Sequence, residues 1–397
     1  MKSYWHGNNY PESKTIPEEI DVAIIGGGLS GVSLAYWLSF YQKANTILII
    51  EKEFLGFGAS GRNAGFMTRG SAHYYYTLCE KLGLLKAREI YKQMGENHKL
   101  LVHHILGSIP NSKYKYSHHG SYTLVKSEEE LNKLTHYLTA SEIPFAVMPT
   151  THLSNNAGFY YSQAIYQEEF ESSINPVTLL YGIYKKALML NKNIFWIKDE
   201  YINSEYQSKL SKQVIHLKNR KQLLTNRLIF ALNGYTKDLN LPCSTIDIEP
   251  CRAQMQQLQF TFNQEDRMTT YLTGNFYDPE NKVYFRQVEV LENGGILLIG
   301  GLRILDEENE VGTQLEINRK IQKALFSYAK TNIFHPNTNV EITKMWCGIM
   351  GFTQNLLPVI KKDPHRLRTY YFAGFNGHGL GLIFFHAKEF AQNLYLC

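Results

Sequence analysis

The apolar residues of this chain fall first into short unbroken runs. Ile20-Asp21-Val22-Ala23-Ile24-Ile25 reads as a buried strand, and Thr46-Ile47-Leu48-Ile49-Ile50 reads as a second, ending on Glu51. Runs of this length, without polar alternation, suit strands covered on both faces. Between them the chain breaks at a glycine turn and enters an apolar helix, Val32 to Tyr41. Further on, a helical stretch is expected from about Cys79 to Leu106 and a strand from Gly120 to Val125. A helix capped by Ser127 should begin near Glu128, and another should open at Asn175-Pro176, with proline in its first turn. Asn193 to Ile197 and Arg227 to Leu232 read as returning strands, the latter stopping at Asn233-Gly234. From Thr245 to Arg303 the pattern is mostly extended, with Asn293-Gly294 as a hairpin signal before the strand Ile296 to Ile299. Gln314 to Ala329 is helical again. Tyr370 to Phe372 is a last short strand, followed by Gly374-Phe375-Asn376-Gly377-His378-Gly379 and a long apolar helix to about Leu394.

The first strand–helix–strand unit carries chemistry. Gly26, Gly28 and Gly31 occupy the G-x-G-x-x-G positions around Leu29 and Ser30, and Glu51 stands 20 residues past Gly31 at the tip of the second strand. Each part has a physical reason. Gly26 allows the tight turn, Gly28 lets a pyrophosphate approach the backbone, and Gly31 lets the helix lie close to the sheet. The helix N-terminus offers N–H groups and partial positive charge to phosphates. The acid at the end of strand two can hold a ribose hydroxyl, and Glu rather than a following Arg argues against a 2′-phosphate. The unit therefore predicts a dinucleotide site.

Composition narrows the rest. The chain has 397 residues, 44% hydrophobic and 19% charged, with a net charge of +5. That is enough chain for two domains of ordinary size and too even a charge for a nucleic-acid footprint. The five cysteines (Cys79, Cys243, Cys251, Cys347, Cys397) are odd in number and lack C-x-x-C spacing, which reads as reduced thiols in a cytoplasmic protein. Met1 to Glu19 is polar and unlike a signal peptide, and no apolar run reaches membrane-spanning length. His103-His104 and His118-His119 are adjacent pairs that do not share a face, so no metal site is expected. Tyr74-Tyr75-Tyr76 reads as packing or channel wall.

The organisation is interleaved. Dinucleotide-type segments lie at the start, middle and end, with a strand-rich region between them. A second glycine-rich loop, Gly56-Phe57-Gly58-Ala59-Ser60-Gly61-Arg62-Asn63-Ala64-Gly65-Phe66, follows the first unit. Together with Trp346-x-Gly348, Thr353, Leu357-Pro358-Val359-Ile360 and Gly377-His378-Gly379, these segments resemble the D-amino-acid oxidase-like flavoprotein family of glycine, sarcosine and γ-glutamylputrescine oxidases. The loop from Gly56 to Asn63 and Tyr284-Phe285-Arg286 are most similar to the γ-glutamylputrescine oxidase branch.

The resemblance implies an α/β fold: a Rossmann-like FAD-binding domain assembled from residues 1–85, 160–240 and 345–397, with an inserted mixed-sheet α+β substrate domain at 86–159 and 241–344. It implies FAD, and glycine loops at three distant places suit a large flavin approached on several sides. The implied cofactor contacts are Gly26, Gly28, Leu29, Ser30, Gly31, Glu51 and Lys52, then Ser60, Gly61, Arg62, Asn63 and Ala64 along the flavin. Gly234 follows where the middle strand stops, and Gly377, His378, Gly379 and Leu380 lie at the ring. The helix starting near Gly379 would aim its positive end at the ring, with His378 a positional residue offering its backbone N–H. Attachment is expected to be non-covalent: in the sarcosine oxidase branch a cysteine five residues before the matching threonine bonds to FAD, and five before Thr353 is Gly348, not Cys347.

The implied activity is oxidation of an amine C–N bond by hydride transfer from the α-carbon to flavin, giving an imine that hydrolyses, with O2 or another carrier taking the electrons. No catalytic side chain is assigned; Arg286, Tyr284 and Met350 are the candidates for the substrate pocket. Met350 stands where glycine oxidase-like members carry an arginine for the substrate carboxylate. Gly381 and Leu298 stand where sarcosine oxidase-like members carry lysines. Loss of these clamps points away from simple α-amino acids and toward an amine whose charge lies far from the reacting carbon. The alternatives are a small amino-acid oxidase or dehydrogenase of the glycine, sarcosine or proline type, and a flavin-binding subunit with little turnover of its own.

Overall fold

The computed structural model describes residues 1–7, 9–107, 114–150, 163–219, 222–239, 246–262 and 272–394. Cys243 and Cys397 lie outside them.

The two apolar runs at the start form the middle of an eight-stranded sheet. Its path runs Val359–Lys362, Thr369–Ala373, Leu223–Phe230, Glu19–Ile25, Ile47–Glu51 and Ile194–Lys198, with Lys212–Leu217 and Tyr201–Gln207 attached beside Leu223–Phe230. The central pairs are parallel. Ile24, Ile25, Ile49 and Ile50 are buried, as strands covered on both faces must be. The helices Leu29–Phe40, Pro176–Leu190 and Gly379–Asn393 pack on one face, where Trp37, Leu180, Ile183 and Phe384 share one core.

A second eight-stranded, mostly antiparallel sheet runs Asn339–Phe352, Glu249–Thr261, Gly294–Gly301, Val283–Leu291, Asn275–Asp278, Ser121–Val125, Gln163–Gln167, Ala146–Pro149. One face carries Leu258, Phe285, Leu297 and Ile299 against Ile321 and Leu325 of the helix Arg319–Asn332. The opposite face carries Met255, Leu298 and Trp346 against Trp5 and Ala64. The α/β class that the resemblance implies is the fold observed.

Local boundaries shift for physical reasons. The stretch expected as one helix from Cys79 to Leu106 is two helices, Ala72–Leu82 and Leu84–Leu101, ending in a π-turn over Val102–Leu106. Gly83, at φ +80°, breaks it, and Ser71 caps the start by accepting from the Tyr74 N–H. The helix expected from Gln314 starts at Arg319 because Asn318 caps it, accepting from the Lys320 and Ile321 N–H groups. Ser127 caps Glu128–Ala140 as expected.

Candidate active site

Three glycine loops and one sheet face converge. The first loop needs its glycines. A Cβ on Gly31 would stand 2.0 Å from the Gly26 carbonyl oxygen, and one on Gly26 would stand 2.6 Å from the Ala231 oxygen. Gly28 leaves an open edge where a Cβ would meet only Ser60, whose Oγ accepts from the Leu29 N–H at 2.8 Å. That bond joins the first loop to the second. Ser30 and Gly31 are buried in the first turn of the helix. The Glu51 carboxylate accepts from the Gly27 N–H at 2.8 Å and the Glu53 N–H at 3.0 Å. Burial pushes its pKa up, and backbone N–H groups oppose that. No lysine or arginine pairs with it among the described residues, so its remaining lone pairs are free to accept from hydroxyls. Lys52 turns outward to Glu200, at 2.7 Å.

The second loop is braced by its own side chains. Arg62 donates to the carbonyls of Phe57 (2.7 Å), Cys347 (3.1 Å) and Met1 (2.8 Å). Asn63 donates to the Ala59 and Ser60 carbonyls and accepts from the Gly65 N–H. Both side chains thus shape the loop, leaving the backbone around Ser60, Gly61 and Ala64 as the surface for a ligand. The N-terminal segment straps this loop: Trp5 donates to the Asn63 carbonyl at 2.7 Å, Ser3 to the Gly61 carbonyl, and the His6 ring meets the Gly56 carbonyl. A Cβ on Gly61 would lie 2.4 Å from His6 Nε2. No sequence signal marked these contacts, since Ser3, Trp5 and His6 belong to no motif.

The second sheet roofs the loops. Tyr277, Tyr284, Gly300, Met255 and Trp346 are successive cross-strand partners, so they form one row on one face. Trp346 donates to the Arg62 carbonyl at 2.9 Å, and a Cβ on Gly348 would meet Arg62 at 3.1 Å. Tyr284 lies edge-on to Phe66. Gly300 in mid-row lets its two neighbours close over it: a Cβ there would stand 2.2 Å from Met255 Sδ and 2.8 Å from the Tyr284 hydroxyl. Burial raises the Tyr284 phenol and pushes Tyr277 up to about 12, so both stay neutral.

Arg286 sits two residues along from Tyr284 on the same face. It donates to the Ala64 carbonyl at 2.7 Å and the Ile174 carbonyl at 3.1 Å, and its guanidinium lies over Trp5. It is 4% exposed and has no carboxylate partner among the described residues. Burial pulls its pKa down to about 9.

The third loop closes the site. Gly377, at φ +78°, precedes His378 and the helix Gly379–Asn393. A Cβ on Gly377 would stand 3.5 Å from Met350 Sδ, and one on Gly234 would stand 2.6 Å from the Met350 carbonyl. Met350, Gly234 and Gly377 are therefore neighbours. The His378 N–H, expected to be offered outward, is taken by the Phe375 carbonyl at 2.8 Å; Gly379 and Leu380, which begin the helix, are partly exposed. The His378 ring stacks on Tyr74 with centroids 3.5 Å apart. In the tyrosine triplet, Tyr75 is fully buried and Tyr74 and Tyr76 pack partly buried against the same core. Among the described residues no three His, Cys, Asp or Glu side chains form a metal cluster, and no helix is long and apolar enough to cross a membrane.

A glycine-turn βαβ unit with an acid at its second strand, joined to two further glycine loops under a mixed sheet, defines a dinucleotide-type flavoprotein architecture. Residues 21–393 match the family model described as FAD dependent oxidoreductase (DAO), and the chain belongs to that family. It is similar to gamma-glutamylputrescine oxidoreductase of Escherichia coli, 30% identical over 96 residues, a stretch of 24% of this chain and 22% of that protein. Its fold matches glycine oxidase from Geobacillus kaustophilus (TM-score 0.67, 16% identity, 95% of each chain). It also matches L-amino acid deaminase from Proteus vulgaris (TM-score 0.71, 16% identity, 99% of this chain and 94% of that one).

Proposed function

We propose that this FAD-dependent oxidoreductase oxidises the C–N bond of an extended amine that carries an acidic group remote from the reacting carbon. The observation that carries the reading is Arg286: a buried guanidinium, bonded among the described residues to carbonyls alone, on the sheet face above the second glycine loop. A buried cation without a counter-charge is unfavourable until an anion joins it. Met350 and Gly381 supply no charge at the positions of the usual carboxylate clamps, so Arg286 is the charged group left to orient a substrate.

FAD, when bound, supplies the two-electron acceptor for the α-carbon hydrogen, and the resulting imine hydrolyses in water. Glu51 would hold the ribose, the turn at Gly26–Gly31 the pyrophosphate, and the backbone of Ser60–Ala64 the flavin. Residues 1–85, 160–240 and 345–397 would supply the cofactor domain. The fit is supported by the open edge at Gly28 and the spare acceptor capacity of Glu51. Non-covalent attachment is supported by strand alternation: Trp346 and Gly348 face the loop, so Cys347 between them points to the opposite face. The three described cysteines are free thiols, which supports a reducing, cytoplasmic setting.

Substrate ranking tests the reading. Extended amines ending in a carboxylate should reduce the flavin faster than glycine, sarcosine or D-alanine, and Arg286→Ala should raise their KM about 10-fold or more. A small α-amino acid reacting fastest, with KM unmoved by Arg286→Ala, would make the protein a small amino-acid oxidase instead.

A further inference from the structure

The segment Gly65–Gly70 connects Arg286 to a second polar group that the reading above leaves without a role. At one end, a Cβ on Gly65 would stand 2.8 Å from Arg286 Nη2. At the other, a Cβ on Gly70 would stand 2.6 Å from Tyr74 and 3.2 Å from His378 Nε2. Both glycines have positive φ, +78° and +96°. The two side chains thus flank one short wall of extended chain, no more than about 18 Å long.

The ring of His378 is fixed in place and in tautomer. Its Nδ1 lies 2.8 Å from the Asn376 carbonyl oxygen. A carbonyl only accepts, so Nδ1 carries the hydrogen and Nε2 carries the lone pair. Nε2 has no hydrogen-bond partner among the described residues. The stack on Tyr74 prevents the ring from turning, and Tyr74 is held on its helix by the Ser71 cap. Burial pulls the imidazole pKa down to about 4, and no charged side chain acts on it. His378, Tyr74 and Met350 are each partly exposed rather than fully buried. This wall thus carries a cation at the Arg286 end and a neutral acceptor at the His378 end.

We propose that His378 Nε2 accepts a hydrogen bond from the N–H of the free-base amine and so turns the nitrogen lone pair into line with the α-C–H bond that breaks. This inference rests on the amine reading above. No bond forms or breaks at His378. The amine R–CH2–NH2 loses its α-hydrogen with both electrons to the cofactor and becomes R–CH=NH2+. The bond to Nε2 strengthens as positive charge grows on nitrogen, so it favours the transition state over the ground state. A protonated imidazole could not accept, which is why a ring kept neutral suits this place.

The test compares the holoprotein with His378→Phe, which keeps an aromatic ring against Tyr74 but has no acceptor, and with His378→Gln, which restores an acceptor oxygen. Three quantities are read: FAD affinity, binding of tert-butylamine (which has no α-hydrogen and cannot be oxidised) by flavin difference spectra, and the rate constant of flavin reduction at saturating substrate. His378→Phe should weaken tert-butylamine binding about 5-fold and slow reduction about 10-fold or more, with FAD affinity unchanged, and His378→Gln should recover part of both. Equal amine binding in parent and His378→Phe overturns the assignment, as does a loss explained wholly by weaker FAD retention. A parent protein that binds tert-butylamine in a His378-dependent way but is reduced by no amine contradicts the oxidation reading and leaves the His378 contact standing.

Discussion

At the residue scale, the signals that were legible are those where backbone geometry demands one residue type. Gly26, Gly28 and Gly31 each meet an atom that a side chain could not tolerate or would crowd, and spacing alone exposes that requirement. Burial of a charge is not legible in this way. Arg286 reads as readily as a surface arginine, and only the structure shows it bonded to the Ala64 and Ile174 carbonyls. Glu171 is another such case. It is fully buried, bonded to the Arg69 N–H and 3.5 Å from the Arg69 side chain, and burial outweighs that neighbour and pushes its pKa up to about 8. A folded-state pKa above the ordinary value of 4.5 means that the fold favours the protonated acid. That stabilisation is complete below about pH 4.5 and is lost as pH rises to about 8. Glu171→Gln removes the titration, so its unfolding free energy should gain on the parent between those limits and run parallel to it above them. Urea unfolding across the pH range checks this, and a difference that does not change with pH would contradict it.

At the element scale, the βαβ unit, the hairpin at Asn293-Gly294 and the capped helices followed from runs, turns and caps. What the pattern could not place is contact between distant segments. The strap from Ser3 to His6 on the second loop, and the row from Tyr277 to Trp346, depend on register and on chain paths that periodicity does not encode. One expected helix is two because Gly83 takes φ +80°, a choice that glycine permits and that periodicity does not encode. The helix Leu29–Phe40 offers the sharpest element-level prediction. Its N-terminus reaches the loop only because Gly31 lets it lie against the Gly26 carbonyl. Gly31→Ala should push the helix off the turn, lower stability by about 3 kcal/mol, at the upper end of overpacking effects, and strip FAD during purification. Denaturation together with the flavin-to-protein absorbance ratio measures both; a variant that keeps parental stability and full flavin content would show that the close approach is unnecessary.

At the scale of the whole molecule, one sheet and three loops assemble the cradle proposed for the cofactor, and a second sheet lays an aromatic and cationic face over it. Membership in the FAD dependent oxidoreductase family covers both. The division of labour explains why cofactor class was legible and substrate was not: the cradle is built from short local motifs, whereas the roof is built from single side chains on five strands. The account stands or falls on whether the flavin is chemically coupled to an amine. The direct measurement is anaerobic mixing of the yellow holoprotein with a panel of extended and small amines, followed by the oxidised-flavin absorbance. Bleaching by at least one extended amine, with one imine-derived carbonyl formed per flavin reduced, is the predicted result. A spectrum indifferent to every amine would contradict the account and assign the chain a flavin-binding role without amine turnover.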